Sequence, residues 1–322
     1  MIKDSYIKYS VGALLYSPAV NEKVANAIIS ERFSKPYSVA LCLEDTIPDN
    51  GVEAAEKQLV ETLSILSKEQ SKRVFYLPKI FIRVRSSEQL SKLKSKLAEH
   101  MDIITGFIFP KYSVDNADLY NAIMAEINSE SDHLIYMMPV LESADIVDYL
   151  TRQEVLAEIK EKIDSVKEYV LNVRVGGNDF SNEFATRRHY DESIYDILPI
   201  SHLLGDILTV FSREYVVSGP VWEFFSSDNE EWKQGLRKEL KLDKLNGFIG
   251  KTVIHPKQID VVNEALKVSN KDYEDAKKIV NWDTDNSVLV GKSFEGERMN
   301  EVKPHMNWAY KTIALADIYG VI

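Results

Sequence analysis

Two carboxylates close two strand-like runs in this chain. Leu134–Leu141 (LIYMMPVL) runs straight into Glu142, and Val170–Val175 (VLNVRV) passes through Gly176 and Gly177 to Asp179. A (β/α)8 barrel builds its active site at the C-terminal ends of its strands. Two hard oxygen ligands placed there can hold Mg2+ and leave positions open for a substrate. Either acid alone also reads as a capping carboxylate. As a pair on neighbouring strands, beside glycines that let backbone amides approach an anion, they read better as metal ligands.

Further charged residues end the other apolar runs. Glu44 and Asp45 follow Leu43, and adjacent acids at a strand end face different directions, so one can enter a site while the other caps the turn. In Phe81-Ile82-Arg83-Val84-Arg85, strand alternation puts both arginines on one face. An arginine there can bind a carboxylate bidentately and stabilise a developing enolate oxygen, or pair structurally with Glu44. Lys111, after Pro110, can hold a substrate carboxylate or phosphate, form a Schiff base, or simply pair with an acid. The Schiff-base reading weakens where a metal is present, because both devices stabilise the same enolate. His255, between Ile254 and Pro256, is an acid/base, a ligand or a hydrogen-bonded core residue. Arg187, Arg188 and His189 read as a solvated basic patch or as a contact for a phosphate-bearing substrate. The remaining histidines show no zinc-type spacing.

The elements that must position these groups alternate along the chain. Apolar runs at Val11–Tyr16, Ser38–Leu43, Lys79–Val84, Gly106–Phe109, Leu134–Leu141, Tyr169–Val175, Tyr215–Val217 and Phe248–Ile254 are each followed by an amphipathic segment. Short continuous runs fit strands buried on both faces, and the helices between them predict parallel pairing through right-handed crossovers. Eight units predict an α/β fold closed as a (β/α)8 TIM barrel. An open doubly wound sheet would want a glycine-rich turn after the first strand, and Ser17-Pro18-Ala19-Val20-Asn21 has no glycine. The barrel is expected over residues 1–269. A C-terminal helical extension is expected over 270–322, with a polar stretch at Asn281–Glu297 and a final helix at Trp308–Ile318. It would serve as a lid, a swapped arm or a subunit contact.

Composition narrows the function classes. The chain has 322 residues, 45% hydrophobic, enough for a large core, and a formal net charge of -11 that argues against a nucleic-acid partner. The single cysteine, Cys42, cannot make an internal disulfide, which suits a reducing compartment. The opening Met1-Ile2-Lys3-Asp4-Ser5 lacks the basic-then-apolar layout of a signal peptide. No apolar stretch reaches the ~18 residues of a membrane span. The expectation is a cytoplasmic protein with no membrane partner.

The ordered motifs resemble the citrate lyase beta-subunit / HpcH–HpaI aldolase family over nearly the whole chain. The likeness is greatest to a divergent branch of TIM-barrel carbon–carbon lyases often found in tellurium-resistance-type gene clusters. It is carried by Leu14-Leu15-Tyr16-Ser17-Pro18-Ala19, Leu41-Cys42-Leu43-Glu44-Asp45-Thr46, Ile82-Arg83-Val84 and Gly106-Phe107-Ile108-Phe109-Pro110-Lys111. Val140-Leu141-Glu142-Ser143, Gly176-Gly177-Asn178-Asp179 and Gly250–Gln258 complete the set.

The resemblance implies a Mg2+-dependent carbon–carbon lyase working through an enolate. Glu142 and Asp179 would bind the metal. Arg83 would hold the substrate carboxylate or enolate oxygen, with the Gly176 and Gly177 amides. Glu44 and Asp45 would hold metal-bound water or tune Arg83, and Arg85 and Lys111 are further substrate-binding candidates.

Three positions depart from the family pattern: Ala19 follows Pro18 where the family has glycine, Arg85 stands where Asn is usual, and Asn178 replaces an acid. They lie where family members bind a thioester, so carboxylates, 2-keto acids and acyl thioesters all stay open as substrates. Arg85, Arg187 and Arg188 could suit a more acidic or phosphate-bearing one. The segment Gly296-Glu297-Arg298-Met299-Asn300 resembles the family's C-terminal lid, which implies a homo-oligomer, a trimer being one form. The competing reading is a non-catalytic ligand-binding or assembly subunit on a retained barrel.

Overall fold

The structure is a computed structural model that describes residues 2–283 and 288–322. Residues 284–287 of the polar stretch therefore lie outside the described residues.

Eight parallel strands form one sheet: β1 (Ala13–Pro18), β2 (Ser38–Cys42), β3 (Lys79–Arg83), β4 (Ile104–Phe109), β5 (Tyr136–Leu141), β6 (Val173–Val175), β7 (Val217–Ser218) and β8 (Lys251–Val253). Each strand pairs with the next in sequence, and β1 also pairs with β8. A parallel bridge from Gly219 to Lys251 joins β7 to β8 and closes the ring. The molecule is thus a (β/α)8 barrel.

The barrel helices are α2 (Val24–Ile29), α3 (Val52–Gln70), α4 (Ser87–Leu97), α5 (Val114–Glu130), α6 (Arg152–Asp164), α8 (Leu198–Phe211), α9 (Glu231–Asn246) and α10 (Lys257–Leu266). Helix α3 shows why they sit outside the ring. Ala55, Leu59, Leu63 and Leu66 recur at helical spacing and are fully buried against the strands. Truncating Leu59 to Ala would cost about 2–5 kcal/mol. Local chemistry sets the helix starts: Ser86 accepts from the Gln89 amide, and Ser113 and Asn116 form a reciprocal capping box.

Strand alternation divides the core. Ile80 and Ile82 face the helices, whereas Phe81 points inward with Leu14, Ala40, Ile108, Met138, Val140 and Leu171. The next inward layer is different in kind. It carries Tyr16, Arg83, Arg174 and Thr252, so the interior turns polar toward the C-terminal strand ends.

Several strands are shorter than their apolar runs. In the sixth unit Lys167–Tyr169 is a 3-10 turn and only Val173–Val175 joins the ladder. Composition cannot distinguish a buried loop from a strand here. A short helix, α7 (Gly177–Glu183), begins directly after β6, which the alternation of apolar runs and amphipathic segments did not mark. Helices α1 (Ile2–Tyr9) and α11 (Asn270–Val280) were not anticipated either, nor was the hairpin of β9 (Val290–Lys292) and β10 (Met299–Glu301).

The last helix, α12 (Val302–Tyr319), packs along α11 through Ala276, Ile279 and Ala309. It ends beneath the barrel, where the Tyr319 hydroxyl donates to the Tyr9 carbonyl and sits against Gly12, just before β1. Among the described residues, no helix is long and apolar enough to cross a membrane.

Candidate active site

At the C-terminal ends of β2 to β5, five of the sequence-identified residues meet. Arg83, the last residue of β3, is the hub. Its Nη2 lies 2.6 Å from Glu44 Oε2, 3.1 Å from Asp45 Oδ2 and 3.2 Å from Glu142 Oε1. Lys111 Nζ sits 3.2 Å from Glu44 Oε1 and 3.9 Å from Asp45 Oδ1. The Lys111 backbone amide donates to Glu142 Oε1 at 3.1 Å. That bond requires the chain to turn sharply after β4, and Lys111 adopts a left-handed φ of 48° to do so. A non-glycine residue held there is a strained position of the kind that clusters at functional sites.

Burial drives the electrostatics. Glu142 is 5% exposed and its pKa is pushed up to about 8, by burial first, with Arg83 opposing and the charge of Asp179 adding to the rise. Burial also raises Glu44, against the pull of Arg83, while Asp45 is held below the usual carboxylate range. For Asp45 burial acts the other way and is outweighed by its hydrogen bond with Glu44 and by Arg83 and Lys111. A proton held by this adjacent pair therefore sits on Glu44. Burial works against the Arg83 cation, but Tyr16, Glu142 and Glu44 more than compensate and keep it charged. Lys111 is likewise raised: Glu44 and Asp45 outweigh its partial burial. A lysine held as a cation is a poor nucleophile, which counts against the Schiff-base role.

Asp179 lies in the first turn of α7, and its carboxylate has neither a hydrogen bond nor an ion pair among the described residues. Gly176 lies so close to Glu142 that a Cβ there would overlap the Glu142 side chain. Its own amide donates to the Leu141 carbonyl at 3.2 Å, so Gly176 contributes room rather than a free donor. Gly177 is similarly tight against Ile194 and Pro220.

The donor set suits a hard divalent cation. Glu142 Oε2 and both oxygens of Asp179 are uncommitted, and Mg2+ is characteristically held by one or two carboxylates plus water and substrate oxygens. The described residues contain no group of three or more Asp, Glu, His or Cys that would form an all-protein cage.

The other candidates stand apart. Arg85 lies beyond the end of β3, where strand alternation no longer applies. It is tied to the loop after β2, donating to the Ile47 carbonyl at 2.8 Å and pairing with Asp49. His255 stacks on Phe225 at 4.8 Å and accepts from the Lys257 amide. The basic run at 187–189 is split. Arg187 is exposed, 3.3 Å from Glu223, while Arg188 is buried over the Trp222 ring with Glu239 at 3.3 Å.

Arg188 belongs to a second buried charge cluster that the sequence did not disclose. Lys251 Nζ lies 2.9 Å from Glu239 and 2.7 Å from Asp243, and Tyr195 donates to Asp243 at 2.6 Å. It lies in the wall between β8 and α9. Sequence reading also missed Tyr16 and Arg174 as interior residues. The available signal was alternation: Val173 and Val175 face the helices, so Arg174 between them must face inward.

A cleft of about 590 Å3 between α4 and α5, lined by Lys94, Asp102, Glu130 and His133, opens near the N-terminal ends of β4 and β5. That is the face opposite the one on which such barrels place chemistry.

A family model described as C–C bond lyase of the TIM-barrel fold matches residues 5–321. No curated protein matches the chain by sequence. Among solved structures, the CitE protein of Mycobacterium tuberculosis, in complex with magnesium, acetoacetate and coenzyme A, is similar at 19% identity and a TM-score of 0.62, covering 96% of this chain and 99% of its own. The citrate lyase beta subunit of M. tuberculosis complexed with oxaloacetate and magnesium is similar at 19% identity and a TM-score of 0.53, covering 80% of this chain and 98% of its own. RipC from Yersinia pestis is similar at 14% identity and a TM-score of 0.54, over 80% and 95%. At these identities the structural likeness speaks for the fold.

Proposed function

The chain belongs to the C–C bond lyases of the TIM-barrel fold, and from that premise we propose a Mg2+-dependent lyase that cleaves or forms a carbon–carbon bond through an enolate. The candidate substrates are a carboxylate, a 2-keto acid or an acyl thioester. The observation that carries the reading is the convergence of Arg83, Glu44, Asp45, Lys111 and Glu142 at the strand ends, beside the uncommitted carboxylate of Asp179. Relatives of this fold have been crystallised with magnesium and small carboxylates.

Glu142 and Asp179 would hold the metal, which when bound supplies a Lewis acid and a template for the substrate oxygens. Arg83 presents a guanidinium, kept charged by its neighbours, to the carboxylate or to the oxygen on which negative charge develops. Glu44 and Asp45 fix the orientation of Arg83. Where Glu44 carries a proton, it is the group placed to exchange one with a substrate or a water. Lys111 neutralises the acid pair and leaves its ammonium at the rim for an anionic substrate.

As part of the same reading, the barrel over 1–269 carries the site and the 270–322 extension serves as a lid or subunit contact. The protein would act as a cytoplasmic homo-oligomer, within the divergent branch named above.

The test is oxaloacetate decarboxylation and cleavage of 4-hydroxy-2-keto acids and malyl-CoA, with Mg2+ and with EDTA, on the wild type and Asp179→Ala. Mg2+-dependent turnover lost in the variant supports the lyase and says whether a thioester is needed. Mg2+ binding without turnover on any of them would favour the binding-subunit reading.

A further inference from the structure

Arg174, on the inward face of β6, is 1% exposed. Its Nη2 donates to Thr252 Oγ1 at 2.7 Å, two strands along the ring on β8, and the Tyr16 hydroxyl is its other hydrogen-bonding neighbour. Its Nη1 is buried with no partner, and among the described residues no carboxylate is in ion-pair contact with it. Nearby Arg83 also keeps one buried donor, Nε, unmatched. Arg83 lies over the Tyr16 ring at 5.6 Å, and both guanidiniums act on the Tyr16 hydroxyl.

A buried cation without a counter-ion is costly, and two of like charge in one interior cost more. Every other strongly buried arginine here has an acid: Arg83 has Glu44 and Glu142, Arg152 has Asp206, and Arg188 has Glu239. Arg174 is the exception, and it sits directly below the mouth. Solvent reaches Tyr16 and Thr252, which are both partly exposed although they face the ring's interior.

We propose that Arg174, Tyr16 and Thr252 form a second anion-binding subsite beside Arg83, which takes the far carboxylate of a dicarboxylate. It rests on the lyase reading only for the position of the first carboxylate, at Arg83 and the metal. Thr252 and Tyr16 are the hydroxyls a ligand meets first. Held by hydroxyls and by no carboxylate, the Arg174 guanidinium keeps Nη1 to present to the arriving oxygen. A charge-assisted bond in this interior favours a dicarboxylate over the monocarboxylate of equal length by roughly tenfold or more.

Calorimetric titration of the full chain in Mg2+ tests this with non-reacting probes: malonate, succinate and glutarate against butyrate. The wild type is expected to bind at least one dicarboxylate about tenfold more tightly than butyrate. Arg174→Met should erase that preference and leave butyrate affinity unchanged. Arg174→Lys should keep part of it, and Thr252→Val, a near-isosteric change, should weaken it in a folded protein.

Equal affinities for butyrate and every dicarboxylate would overturn the subsite. So would an Arg174→Met protein that is more stable than wild type with its preference intact, since Arg174 would then be an interior side chain completed by water. The readout needs no turnover. The lyase reading can therefore fail while the preference stands, and the preference can fail in an active lyase.

Discussion

The barrel holds two buried charge clusters, and they are built on opposite principles. In the wall between β8 and α9, two acids face two cations: Glu239 and Asp243 against Lys251 and Arg188. Backbone and side-chain donors fill the remaining lone pairs, with Ile194 N and Ser193 on Glu239 and Tyr195 on Asp243. In the mouth are four acids, Glu44, Asp45, Glu142 and Asp179, and among the described residues the only cations in ion-pair contact with any of them are Arg83 and Lys111, with Arg174 unpaired below. Even with Arg174 counted, the acids of the mouth outnumber its cations when ionised, and a buried acid there answers by holding its proton. A balanced cluster has nothing left to bind, whereas an unbalanced one is complementary to a divalent cation. Burial alone does not separate the two, since Arg83, Glu44 and Glu142 are closed off much as the wall is while Asp45 and Lys111 reach solvent at the rim; charge balance does.

The largest expected effect breaks the wall. Lys251→Met removes the cation shared by Glu239 and Asp243, strands the buried Asp243 carboxylate and leaves Glu239 with Arg188 alone. It should destabilise the protein by about 3–5 kcal/mol in urea denaturation. A loss below ~1 kcal/mol would mean that the acids simply take up protons and that the cluster is not the lock described here.

The corresponding cut in the mouth acts on binding instead. Asp179 has no partner to strand, so Asp179→Asn should leave metal-free stability within about 0.5 kcal/mol of wild type. Mg2+ affinity by calorimetry should fall at least ~100-fold. Strong destabilisation with metal binding intact would invert the comparison.

The excess acid also sets a pH dependence. Glu142 binds its proton more tightly in the folded chain, at about 8, than in the unfolded one, so folding favours the protonated form. The stability this gives is fully present below the unfolded carboxylate range and is lost as pH rises through about 8. The proton is shared with a coupled neighbour, so the metal-free wild type should lose on the order of 2 kcal/mol relative to Glu142→Gln between pH 5 and 8.5. Saturating Mg2+ should suppress the loss by taking the proton's place. A difference between wild type and variant that stays flat with pH would show that Glu142 is ionised throughout.

Much of this was legible in the sequence, for a physical reason. Strands buried on both faces leave continuous apolar runs, and the ladder register places the residue after each run at the mouth. That is how Glu44, Arg83, Lys111 and Glu142 could be read as neighbours across almost 100 residues of chain. The wall cluster was not legible, because its members come from one helix face, a strand and a loop whose polar residues look solvated in one dimension. Arg188 reads as part of a basic surface run with Arg187 until the fold turns it over Trp222. The third arginine of this kind, Arg174, was hidden inside an apolar strand whose alternation alone would have turned it inward. The start of the chain and the β9–β10 hairpin lacked a periodic apolar face long enough to mark them.

The smallest expected effect sharpens the boundary between the clusters. Arg187 is adjacent in sequence to Arg188, yet its side chain is 80% exposed and among the described residues pairs only with Glu223, at 3.3 Å. An exposed pair of this kind contributes roughly 0.2–1 kcal/mol, and salt screens it. Arg187→Ala should therefore change stability by less than about 0.5 kcal/mol in moderate salt and leave Mg2+ affinity unmoved. If the same variant lowered the affinity for phosphate-bearing ligands several-fold, Arg187 would belong to the mouth after all. The loop after α7 would then carry substrate on its exposed side while its buried side, through Arg188, anchors it to the wall.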